Sequence, residues 1–422
     1  MTRPPAPATA VPAALPAPSA AKGDAGADAA RPRLRELDLL RFVAVGAVML
    51  HHYAGVRSTV FSGRDAQKVY PELAPVAHFG YLGIELFFLI SGFVILMSAW
   101  NCRPGDFAIS RIVRIYPAYW FSVLLSVALY LVFDSAAPFR PDKPDPVLRL
   151  LPNLTMLQEA IHVESLEVVY WVLWVELRFY VLIALFACVG ITYGRCLTLM
   201  TTWLIVGAYA KEADNAILQH VLFPEMAPYF IAGMAFFLIY RFGGNIVLWL
   251  LIATCWALSV HYLVSNINPL NEWPGVHEIV IPIVITVLYV SIALVALRKL
   301  SWLNWRGLTF LGALTYPLYL VHEMVARTIV KAFFPHPYID RLTILPIIVV
   351  SAFGTAVLVH KFVEGPVQRM MQPRLLAAMA QIRRNGAPPE AAVPGAAFPE
   401  PVQENGGNAE RGAAAAPPAP VP

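Results

Sequence analysis

The chain has 422 residues, of which 58% are hydrophobic and 14% charged, well below the roughly 25% charged residues of soluble domains. That excludes an ordinary soluble fold and points to a polytopic membrane protein. The formal charge of +4 is small, and its basic residues are spread over span ends rather than gathered in one stripe, which excludes a nucleic-acid footprint.

Residues 1–34 are rich in Ala and Pro and lack a central apolar run, so a disordered tail is expected there rather than a cleaved leader. Apolar stretches near the roughly 20 residues needed to cross a bilayer then follow at 37–56, 79–100, 115–133, 168–190, 197–210, 222–240, 246–264, 279–297, 308–329 and 343–362. The expected fold is therefore all-α, a membrane helix bundle of about ten transmembrane helices. The membrane domain is placed at 35–367, and 368–422 is expected to be a second disordered tail. The four cysteines, Cys102, Cys188, Cys196 and Cys255, have no metal-type spacing. They are read as small apolar residues, and no metal is expected.

Arg31, Arg33, Arg35, Arg103, Arg111, Arg114, Arg298, Lys299, Arg306, Lys361 and Arg369 fall on one side of the span pattern. By the positive-inside rule that side is cytoplasmic, with both termini there. Arg57, Arg64, Lys68, Arg140, Lys143 and Arg149 oppose this balance from the other side. The longest loop, Asp134 to Glu167, is read either as functional or as a solvated connection.

Ionisable groups are costly inside a bilayer, and the first span carries Asp38, Arg41, His51 and His52. Arg41 and His52 are eleven residues apart, about three turns, which places them on one face roughly 16 Å apart along the axis. Asp38 shares that face and is spaced to pair with Arg41. One reading makes these residues an interfacial anchor and a buried histidine. The other makes them a site that takes a charged reagent at one surface and uses it deeper in the membrane.

The second span holds Glu85, which needs a cation such as Arg41 or a polar substrate as partner, and a Ser91-Gly92 step suited to close helix packing. In SRIVRIYPAYW, Arg111 and Arg114 lie three residues apart, followed by Tyr116, Tyr119 and Trp120. The arginine pair suits phosphate binding and suits an interfacial anchor with an aromatic belt equally well. Glu176 and Tyr180 share a face at one-turn spacing in the fourth span, and Tyr316, Tyr319 and His322 recur every three residues in the ninth. Both patterns fit helices that line a cavity.

These segments, in this order, resemble the acyltransferase 3 family of integral membrane acyltransferases. LDLLRFVAVGAVMLHH resembles the family's arginine, ten residues and histidine, which selects Arg41 and His52 rather than His51. GIELFFLISGF, RIVRIYPAYW, WVLWVELRFY, YPLYLVH and the closing VEGP at 363–366 are similar to its later motifs. Glu85 stands where the family often has aspartate, and the fused extracytoplasmic domain of many members is not expected here.

The resemblance implies a bacterial inner-membrane enzyme that moves an acyl group, commonly acetyl from acetyl-CoA, to a hydroxyl of a carbohydrate or cell-surface glycan. On that basis the expected catalytic residues are His52, Arg41 and Glu176. Arg111, Arg114 and Arg41 are expected to hold the phosphates of acyl-CoA. Glu85, Tyr180, Tyr319 and His322 are expected to meet substrate. A proton-coupled transporter of a lipid-linked sugar is the alternative, since intramembrane Glu, Arg and His also suit a carrier. The sequence shows no internal repeat of the kind such carriers carry.

Overall fold

A computed structural model describes residues 34–55, 60–61, 69–133, 146–266, 274–333 and 341–386. Among these the chain is helical, and eight helical stretches are long and apolar enough to cross a membrane. Residues 1–33 of the expected N-terminal tail, all residues beyond 386 and the loop cations Arg57, Arg64, Lys68, Arg140 and Lys143 lie outside the described residues.

Helix α1 (Arg35–Ala54) begins with Glu36 and Asp38 in its first turn, where carboxylates complement the helix dipole. A short helix at Ala74–Ala77 and a 3-10 turn at His78–Leu82 lead into α2 (Gly83–Ala99). Then come α3 (Pro104–Phe133), α4 (Pro146–Thr155) and α5 (Tyr170–Val189). Helix α6 (Tyr193–Glu212) is capped by the Thr192 hydroxyl on the Arg195 amide. It spans 20 residues, with Arg195, Lys211 and Glu212 at its ends, and is not among the eight apolar stretches.

The expected span at 222–240 falls mainly on α8 (Ala227–Phe242), which follows the short α7 (Ala216–Leu222) within one apolar stretch, Ala216–Phe242, long enough to cross a membrane. Phe223 ends α7 in the left-handed region at φ 37°, and the chain turns there. After α9 (Ile246–Ser265) and α10 (Pro274–Ala296) comes α11 (Gly307–Phe333), which carries Glu323, Arg327 and Lys331. Helix α12 (Arg341–Val359) continues through a π-helical turn at His360–Glu364 into α13 (Gly365–Gly386).

Helix α13 corrects the expectation of disorder from residue 368. Its Arg383 pairs with Asp106, and Met379 lies against Gly105, both on the first turn of α3. Docking on another helix supplies the ordering energy that the polar composition of this segment lacks by itself.

Small residues set the helix spacing, as expected where lipid gives no hydrophobic drive to associate. A Cβ on Gly92 of α2 would collide with the backbone carbonyl of Phe230 in α8. One on Gly233 would collide with the carbonyl of Leu89. The two helices therefore meet backbone to backbone. Likewise Gly83 approaches the Ala44 carbonyl of α1, and Gly312 of α11 approaches Asp38.

The long loop is no mere solvated connection where it is described. Helix α4 lies along α3, and its last three carbonyls, which have no partner inside the helix, accept hydrogen bonds from α3. Tyr119 donates to Asn153 O at 2.7 Å, Trp120 Nε1 to Leu154 O at 2.9 Å and Tyr116 to Thr155 O at 3.1 Å. The aromatic cluster thus caps a helix end rather than forming only an interfacial belt.

Candidate active site

Two polar clusters lie at different depths along α1. The first surrounds Arg41, which pairs with Asp38 at 3.7 Å and interacts electrostatically with Arg114, Tyr180 and Glu176. Helix α5 places Glu176 and Tyr180 one turn apart, and the Tyr180 hydroxyl donates to Glu176 Oε1. Ser91 of α2 donates to the same oxygen at 3.3 Å. The Arg111 guanidinium lies 6.0 Å from the Tyr180 ring centroid and 5.6 Å from that of Phe107. Three guanidiniums thus share a neighbourhood with two carboxyl groups, Asp38 and Glu176. That imbalance suits an anion with several charges.

The second cluster surrounds His52, about three turns further along α1. Its Nδ1 is 3.7 Å from Glu323 Oε2, and its ring centroid is 5.2 Å from that of His322. His322 is fully buried and directs Nδ1 to the carbonyl of Tyr319 at 2.8 Å, which leaves the Nε2 lone pair facing inward without a hydrogen bond among the described residues. His51 points elsewhere, with Nδ1 on the carbonyls of Ala77 and His78 at 3.2 and 3.0 Å. Tyr319 donates to Val169 O at 2.8 Å, and Tyr316 to Ile115 O at 3.0 Å.

Between the clusters runs an apolar cavity lined by Ala44, Val45 and Val48 of α1, together with Phe87, Tyr316 and Tyr319 among others. Arg41, Val45, Val48 and His52 follow one another at steps of four, three and four residues, so the cavity lies along the face that carries both the arginine and the histidine.

Glu85 is apart from this arrangement. It is buried on α2 and interacts with Tyr81 and Tyr229, whereas Arg41 is engaged by other groups. Of the two partners expected for Glu85, a cation such as Arg41 or a polar substrate, Arg41 is therefore not the one. The rotation of α2 that brings Gly83 onto α1 and Gly92 onto α8 carries Glu85 away from Arg41.

Behind His52 the structure places residues that pattern reading passed over. Arg327 Nη1 is 3.4 Å from Glu323 Oε1, and its Nη2 is 2.6 Å from Glu167 Oε2. Ser126 donates to Glu167 Oε1 at 2.5 Å. The one available signal was the one-turn spacing of Glu323 and Arg327 directly after His322.

Helices of this length and apolarity define a multi-pass membrane protein, in which a basic cluster and a histidine cluster lie along α1 with an apolar cavity on the helix face between them. The chain belongs to the acyltransferase 3 family, whose acyltransferase domain matches residues 34–361. It is thus a membrane acyltransferase. No curated protein and no solved structure matches it.

Proposed function

We propose that this protein transfers an acyl group, acetyl in the first instance, from acyl-CoA to a hydroxyl of a carbohydrate or cell-surface glycan, in a bacterial inner membrane with both termini cytoplasmic. The observation that carries this reading is the apolar cavity along α1 between Arg41 and His52. Arg111, Arg114 and Arg41 hold the phosphates of the donor at the cytoplasmic end, with Glu176 and Tyr180 fixing the arginines in place. In this reading the uncharged pantetheine arm runs along the apolar face of α1 that the small cavity marks, and carries the thioester towards His52.

His52 then acts as general base. It takes the proton of the acceptor hydroxyl as that oxygen bonds to the thioester carbonyl carbon. The carbon–sulfur bond breaks, and the imidazolium returns the proton to the departing thiolate. A positioned base of this kind is worth about two to four orders of magnitude in rate. His322, Tyr319 and Glu85 remain assigned to the substrate side, Glu85 as a buried carboxyl bordered by tyrosines rather than as a partner of Arg41.

The test is transfer of label from acetyl-CoA into a glycan fraction by membranes that hold the wild-type or the His52→Ala protein. Label in the wild type and a loss of at least a hundredfold in the variant is expected. Equal transfer by both removes His52 from the chemistry, and no transfer by either overturns the reading.

A further inference from the structure

We propose that Glu323 is a positioning residue for His52, held in place by Arg327 and Glu167; the proposal rests on His52 acting as the base. The geometry carries it. Glu323 is 1% exposed and presents Oε2 to His52 Nδ1 at 3.7 Å, within ion-pair range. Its other oxygen faces Arg327 at 3.4 Å, and Arg327 in turn grips Glu167 at 2.6 Å, itself fixed by Ser126. Helices α1, α3 and α11 and the segment before α5 meet in this one buried set.

A carboxylate at that place has a direct consequence. A lone pair on Nδ1 would face the negative charge unfavourably, so the proton resides on Nδ1 and the Nε2 lone pair is left as the base. Among the described residues, Tyr53, Tyr170, Tyr319, His51 and His322 also face this set.

The test has two readouts on the purified full-length protein. Nitrogen-15 NMR of labelled histidines, with His52 assigned from the His52→Gln variant, reports which ring nitrogen carries the proton. The Nδ1–H form is expected in the wild type and in Glu323→Asp, and a mixture or the Nε2–H form in Glu323→Ala. Acyl-transfer kinetics supply the second readout. Glu323→Gln, which keeps shape but not charge, should lower kcat by about a hundredfold and change KM for acetyl-CoA by less than about threefold. Glu323→Asp should recover most of the loss.

An unchanged tautomer in Glu323→Ala, or a wild-type kcat in Glu323→Gln, overturns the proposal and leaves acyl transfer standing. A wild-type protein that transfers nothing while Glu323→Ala still shifts the tautomer overturns the function and leaves the positioning role in place.

Discussion

The hydroxyl of Tyr53 donates to the backbone carbonyl of His322 at 2.8 Å. The residue after the candidate catalytic histidine thereby fixes the backbone beneath His322, on the candidate substrate side, and ties α1 to α11. Tyr53→Phe removes a buried donor at constant shape, which costs about 1 kcal/mol. A slightly lower melting temperature in detergent and a several-fold fall in acyl transfer, at unchanged KM for the donor, are expected. An unaltered transfer rate would separate this link from the chemistry.

Backbone contact between α2 and α8 makes Gly92 and Gly233 intolerant of a side chain. Gly233→Ala forces its methyl into the Leu89 carbonyl, and overpacking of this kind costs about 1–3 kcal/mol or more. Gly46 and Gly354 have no atom within 4 Å of an added Cβ. Their alanine variants serve as controls that keep the wild-type melting temperature, since alanine also suits a helix better than glycine. Equal melting temperatures for Gly233→Ala and the controls would refute the packing account.

The arginine cluster should act on donor binding rather than on the chemical step. Charge-assisted hydrogen bonds contribute about 1.5–3 kcal/mol each, so Arg111→Ala and Arg114→Ala should each raise KM for acetyl-CoA by about tenfold to a hundredfold. Lysine at either position should restore charge but not the bidentate fork, and so rescue only part of the affinity. Steady-state kinetics with varied donor decide this, and a change confined to kcat would contradict it.

Glu176 receives hydrogen bonds from both Tyr180 and Ser91. Tyr180→Phe leaves a buried carboxyl short of a donor, at a cost of about 1–3 kcal/mol. Combining it with Glu176→Leu should cost less stability than the two single changes added together, because the pair is coupled. Melting temperatures of the three variants test this, and strict additivity would show that the two side chains do not depend on each other.

Much of the architecture was legible from composition, because a run of about 20 apolar residues has few alternatives to a membrane helix. The same run made Asp38, Arg41, His52 and Glu176 conspicuous, since each is a costly group in an apolar stretch. The one-turn pairing of Glu176 with Tyr180 also followed from helical period alone. Helix α13 was not legible, because its order comes from docking on α3 and not from its own polar sequence.

By itself, then, the sequence determined which residues lie on which face of each helix. It could not set the rotation and offset of one helix against the next, which follow from where glycines allow backbones to touch. Only the tertiary structure decided that Glu85 turns from Arg41 towards Tyr229, that α4 ends on the aromatic donors of α3, and that Glu323 stands beside His52. Contacts between distant segments depend on how whole helices fit together, and no local pattern encodes that fit.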